Sequence, residues 1–192
     1  MLYGWRWANS TSALKKTTYY DQRKHDLRIA YLQELRRLIP QYGSQNIVYI
    51  DESGFTAHSY RPHAWALRGQ KVFGSISATN RKTTNLIMAQ RHKRWLAPLL
   101  FKDSCNTQKV LHWLKEHLLP LLTEPSIMVI DNAPFHNKEK IRELLKGTPH
   151  ILLPLPPYSP DFNPIEHSFS FIKKRRQFHP SHDLDAILMS NN

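Results

Sequence analysis

Apolar residues recur along this chain in two rhythms. Ile47–Ile50 and Ile127–Ile130 are unbroken runs, too short for helices and rich in β-branched residues, so they predict buried strands. Ile151–Leu153 is a shorter run of the same kind. Leu86–Ala89 and Leu96–Phe101 are joined across Arg91-His92-Lys93-Arg94 and predict a β-hairpin with a basic tip. Val72–Ser77 alternates apolar and polar positions, as a half-exposed strand does, and Trp65–Leu67 is a further short candidate.

Elsewhere the spacing is helical. Leu27, Ala30, Tyr31, Leu35 and Leu38 predict a helix from about Asp26 to Ile39, stopped by Pro40 and Gly43. Val110, Leu111, Leu114 and Leu118 form a second stripe, capped by Asn106 or Thr107 and limited by Pro120. Asn137 caps a third helix carrying Ile141, Leu144 and Leu145, and Gly147 closes it. Asn163 before Pro164 opens a fourth, with Ile165, Phe169, Ile172 and Arg176 on one face. Leu184–Met189 is a weak helix, and residues 1–25 read as an irregular arm. Strands that give way to alternating helices and strands predict an α/β fold, a mixed sheet flanked by helices.

Composition narrows this picture. A chain of 192 residues suits one ordinary domain, and 41% hydrophobic residues with five Trp exclude disorder. There is no run of roughly 18 apolar residues and no apolar leader core, so no membrane partner is expected. The single cysteine, Cys105, excludes an internal disulfide and cysteine-rich zinc sites, and a cytoplasmic location is expected. The net charge of +12 points instead to a polyanionic partner.

Candidate chemistry lies in the acids. Asp51 and Asp131 each follow a four-residue apolar run, where a side chain emerges at the rim of a sheet. On neighbouring strands, two such carboxylates repel unless a cation neutralises them. Oxygen donors suit Mg²⁺, and two ions about 3.5–4 Å apart can clamp the oxygens of a phosphodiester. Against this, Asp at a strand end commonly only starts a turn. Glu166 stands in Asn163-Pro164-Ile165-Glu166, which equally fits a capping box. Glu52 is expected on the opposite face of its strand, solvated. His136 and His167 lie near the acids, where a lone histidine is more often structural. His179 and His182 lack partners for a zinc set. Lys173, Lys174, Arg175 and Arg176 form either a solvated face or a contact to phosphates.

Three motifs carry a resemblance. I-D-E-S-G-F at 50–55, I-D-N-A-P-F-H at 130–136 and P-P-Y-S-P-D-F-N-P-I-E-H at 156–167 resemble the DDE transposases of the insertion-sequence 630 group, relatives of the mariner elements. Asp131 and Glu166 are 35 positions apart with 34 residues between them, as in that group. The resemblance implies a ribonuclease-H-like fold and a site for Mg²⁺, with Mn²⁺ able to substitute. Asp51, Asp131 and Glu166 would be the catalytic, metal-binding acids. Asn132 and His136 would orient the site or the DNA, and Lys173–Arg176 would bind DNA. The turn at Tyr158-Ser159-Pro160-Asp161 would set Glu166 against the Asp pair, with Asp161 structural. The implied partner is double-stranded DNA, both transposon ends and target, cut and joined by an active homodimer at short T-A steps. Nucleoid association in a bacterial cytoplasm follows.

Members of that group begin with a helix-turn-helix region, and no such pair of helices precedes Lys15. Residues 1–43 are therefore expected to be its remnant, 44–180 the catalytic domain and 181–192 a tail. Two other readings stay open: a catalytically silent DNA-binding remnant, and a ribonuclease-H-like nuclease acting on RNA–DNA hybrids.

Overall fold

The computed structural model describes residues 24–56, 67–71, 73, 83–178 and 183–189. Most of the expected arm, of the strand at Val72–Ser77 and of Trp65–Leu67, and His179 and His182, lie outside them.

Among the described residues, five strands form one sheet: β1 (Ile47–Thr56), β2 (Thr83–Arg91), β3 (Arg94–Phe101), β4 (Ile127–Ile130) and β5 (Ile151–Pro154), in the order β3-β2-β1-β4-β5. The β3-β2-β1 half is antiparallel and the β1-β4-β5 half parallel, so the sheet is mixed as expected. Helices α1 (His25–Tyr42), α2 (Thr107–Trp113), α3 (Lys138–Leu145), α4 (Ile165–Phe178) and α5 (Leu184–Met189) cover its two faces. Among the described residues, no helix is long and apolar enough to cross a membrane.

On one face, Val48, Ile50, Met128 and Ile130 meet Val110, Trp113 and Leu114 of the α2 region and Ile141 of α3. Each such fully buried side chain contributes about 1.5–3 kcal/mol. The other face carries two clusters. Phe55, Leu86 and Met88 pack under Ile165, Phe169 and Ile172 of α4 and under Leu184, Ile187 and Leu188 of α5. Tyr31 and Leu38 of α1 pack on Ile127, Val129 and Leu153. Both α1, grouped with the arm by sequence, and α5, expected in a tail, thus pack on the sheet.

Several expectations change. β1 does not end at Ile50: it runs six residues further against β2, through Gly54. Pairing supplies the backbone hydrogen bonds there, and an apolar run is not required. α1 passes Pro40 and ends at Gly43, whose N–H donates to the Ile39 carbonyl at φ +83°. Leu27 is exposed and so is Ala30; the stripe holds only from Tyr31 onward. The α2 helix loosens into a π turn at Leu114–Leu118 and a 3₁₀ turn at Leu119–Leu121, with Pro120 at its end. The caps at Asn106 and Asn137 form as expected, accepting from the N–H groups of Lys109 and Lys140.

Candidate active site

The sheet register builds the site. β1 and β4 are parallel neighbours with Ile50 opposite Ile130. One step further on each strand stand Asp51 and Asp131. β4 ends there, while β1 continues beside β2, so Asp51 lies inside a strand and is only 7% exposed.

Asp51 and Asp131 line a cleft of about 510 Å³, closed by the β5–α4 loop, Leu155 to Pro160, and by Asn163 and Glu166 at the start of α4. Three acids distant in sequence therefore face one cavity. Burial first, then the charges of Glu52, Asp131 and Glu166, push the Asp51 carboxyl up to about 8. Its Oδ1 accepts from the Glu52 N–H at 2.8 Å and its Oδ2 from Asn163 Nδ2 at 2.9 Å.

Asp131 is held the other way. Burial opposes its charge, but hydrogen bonds from His136 Nδ1 and the Ala133 N–H bring the carboxyl below its ordinary value. Burial lowers the His136 imidazole too, yet its hydrogen bond to Asp131 and the negative charges of Glu52 and Asp131 win and raise it to about 9. His136 Nε2 stands 3.1 Å from Glu52 Oε2 as an ion-pair contact, off the line of a hydrogen bond. A charged His136 thus sits between two carboxylates of opposite origin. Glu52, expected to be solvated, is instead half-buried against His136.

The capping box proposed for Glu166 does not form through Asn163. The Asn163 side chain turns to Asp51, and its Oδ1 is buried with no hydrogen-bond partner among the described residues. The helix start is held by backbone bonds, Glu166 N–H to the Asn163 carbonyl and His167 N–H to that of Pro164. Glu166 is exposed at the wall of the cleft.

The preceding turn is clamped from α1. The Arg28 guanidinium donates to both carboxylate oxygens of Asp161, at 3.1 and 2.7 Å, and to Ser159 Oγ at 2.7 Å. It also lies 3.9 Å from the Phe162 ring centroid, and Tyr31 stacks on the same ring at 5.5 Å. Asp161 is structural, as expected. Tyr158 takes a left-handed backbone, φ +54°, and lines the cleft.

Residues 46–187 match the family described as DDE superfamily endonuclease. The chain belongs to that family. No curated protein sequence matches it. Among solved structures, the Mos1 transposase paired-end complex with left transposon end is similar at a TM-score of 0.67 and 19% identity, over 86% of this chain and 54% of that one. The Mos1 mariner paired end complex with Mg gives 0.65 and 17%, over 95% and 63%. The catalytic domain of Mos1 mariner transposase gives 0.55 and 18%, over 83% and 75%. At these identities the likeness is one of fold, the ribonuclease-H-like mixed sheet flanked by helices. This DDE endonuclease domain spans about half the length of the Mos1 chain in the first of those complexes.

Not every expected residue reaches the cleft in its expected role. The Asn132 side chain lines it, but its Nδ2 donates to the Leu155 carbonyl and so ties the β5–α4 loop to the end of β4. His136 is 1% exposed, which leaves no surface for DNA; its position suits orienting Asp131 instead. Lys173 and Lys174 are exposed. Arg175 lies 6.0 Å from the Phe171 ring. Arg176 is half-buried beside Phe55, where burial lowers its pKa against the pull of Asp183. Sequence reasoning missed Arg28, the role of Asn163 toward Asp51, and the contact between Glu52 and His136.

A hard cation fits the donors chemically. Carboxylate oxygens of three acids face one cavity, and the charge of Asp51 is opposed by its neighbours until something positive arrives. Among the described residues, no three His, Cys, Asp or Glu side chains already form a closed set of ligands.

Proposed function

We propose that this DDE endonuclease domain is the catalytic domain of a DNA transposase of the insertion-sequence 630 group, related to mariner. The observation that carries the reading is the convergence of Asp51, Asp131 and Glu166 on one cleft. The family match, the net charge of +12 and the fold shared with Mos1 transposase support it. Complexes of Mos1 are described with a transposon end, with Mg, with Mn and as a strand transfer complex.

Asp51, Asp131 and Glu166 would hold divalent cations, Mg²⁺ or Mn²⁺. Bound there, the cations would supply positive charge to the scissile phosphate. The protein contributes position. Asn163 and the Glu52 N–H fix the Asp51 carboxylate, and His136 with the Ala133 N–H fixes that of Asp131. The Arg28 clamp holds the turn that carries Asn163 and Glu166. Water attacks the phosphodiester in line and breaks its P–O3′ bond, leaving a 5′-phosphate and a free 3′-hydroxyl; that hydroxyl then attacks a target phosphodiester and displaces the target strand's own 3′-oxygen. Orientation and charge neutralisation, with no covalent enzyme intermediate, carry the rate. An active homodimer acting on transposon ends and target is part of the same reading.

The test is a nicking assay on supercoiled duplex with Mg²⁺ or Mn²⁺, beside Asp131→Asn and an RNA–DNA hybrid. Metal-dependent nicking of duplex DNA that Asp131→Asn abolishes is expected. Equal nicking by both proteins, or cleavage of the hybrid alone, refutes the reading.

A further inference from the structure

The basic hairpin tip has no part in the cleft. It borders a second groove of about 470 Å³, lined by Gln90, Lys93 and Trp95 of the hairpin and His167, Ser168 and Phe171 of α4. No acid lines it. Lys93 and Arg94 are exposed at the tip.

The groove has a fixed floor. Gln90 is buried, its Nε2 donates to the His92 carbonyl at 2.7 Å, and its Oε1 accepts from Ser168 Oγ at 2.7 Å. That bridge ties the tip to α4. One wall is aromatic: Phe171 is 47% exposed, packs 6.4 Å from Trp95 in a tilted pair, and has the Arg175 guanidinium 6.0 Å from its ring. An exposed aromatic face among cations, with no carboxylate, complements a nucleic-acid backbone.

Its place decides what occupies it. Pro164 lines this groove, while the residues on either side of Pro164-Ile165, Asn163 and Glu166, line the cleft. The first turn of α4 is a shared partition. We propose that the groove holds the phosphate backbone of the DNA duplex beside the phosphodiester seated in the cleft, with phosphate at Lys93 and the sugar–base edge against Phe171. This inference rests on reading the cleft as a DNA-cutting site.

The test is anisotropy of a labelled duplex bound by the full chain in EDTA, measured across a salt series. Lys93→Ala is expected to weaken binding about threefold to tenfold and to reduce the slope of log K against log salt by about one. Phe171→Ala is expected to weaken binding with the slope retained. Lys93→Arg should keep both. Lys115→Ala removes an exposed lysine beyond α2 that pairs with Glu116, and is the control for charge alone. Lys93→Ala indistinguishable from Lys115→Ala overturns the groove. So does a Lys93 dependence seen with polyglutamate and absent with duplex. Nicking by wild type with Lys93-indifferent binding overturns the groove and spares the cutting reading. Lys93-dependent binding without any nicking does the reverse, and no duplex binding at all overturns both.

Discussion

Asp51 carries a tension that a single substitution releases. Its carboxyl is pushed from 3.8 to about 8 by burial and by the acids around it. The folded value lies above the unfolded one, so stability is full below about pH 4 and is lost as pH rises toward 8. At 1.36 kcal/mol per pH unit, the interval from 3.8 to pH 7.5 corresponds to at most about 5 kcal/mol, which relaxation and water entry reduce to about 2–4. Asp51→Asn removes the charge. It need not break the local bonds: the new amide can keep the Glu52 N–H on its oxygen, and its NH₂ can face Asn163 if that side chain flips to present its unpartnered Oδ1. In EDTA at pH 7.5, Asp51→Asn should therefore unfold on the order of 5–10 °C above wild type. At pH 4.5 the two should converge. Added Mg²⁺ should raise wild type and move the variant less. The measurement is thermal unfolding by circular dichroism at both pH values. A variant less stable at pH 7.5, or a gap that ignores pH, would refute the account of this carboxylate.

Three further outcomes follow from separate parts of the molecule. Arg28 and Asp161 should show a coupling of about 1 kcal/mol in a double-mutant cycle, with faster hydrogen exchange at Phe162 and Asn163 in Arg28→Ala; strict additivity would mean that the fork of hydrogen bonds is idle. Trp113 is fully buried and its Nε1 donates at 2.8 Å to the Ala97 carbonyl, so Trp113→Phe should cost about 2 kcal/mol, read as a drop in denaturant midpoint. Burial pushes the Cys105 thiol up to about 11, so alkylation at pH 8 should be at least tenfold slower in the native protein than in denaturant, and equal rates would contradict its packing.

The fold was legible where burial writes a period. The two four-residue runs are the start of β1 and the whole of β4, and they are apolar because both their faces are covered there. The stripe of α4 is legible for the same reason, and Ile165, Phe169 and Ile172 are all buried. Where hydrogen bonding outlasts apolarity, the pattern is silent. β1 continues through Glu52–Thr56 because β2 offers partners to its backbone, and Gly54 fits there, where a Cβ would come within 3.3 Å of Asn85 and Thr83. β3 carries a bulge, Ala97 at φ +49° beside Pro98, which an edge strand tolerates and no local signal announces. The first turn of α1 faces outward at Leu27 and Ala30 although both are apolar, since the contact it makes there belongs to Arg28.

Sequence could single out the three acids that line the cleft but not the groups that hold them. Asp51 and Asp131 follow matching runs, and one parallel register suffices to bring them side by side. The supports act across the chain: Asn163 meets Asp51 over 112 positions, and Arg28 meets Asp161 over 133. No window of local pattern reaches that far. The ambiguity at Glu166 shows why this matters. Locally, Asn163 is an N-cap and Glu166 its reciprocal partner in a capping box. Asn163 cannot give the same side chain to its own helix and to a buried carboxylate with a raised pKa, and the buried demand is the costlier one to leave unmet. Once Asn163 turns inward, the box has lost one of its two bonds, and Pro164 at the helix entry has removed one N–H that needed a cap. Glu166 is then left at the wall of the cleft, so the bond that steadies the first acid is the one that makes the third available.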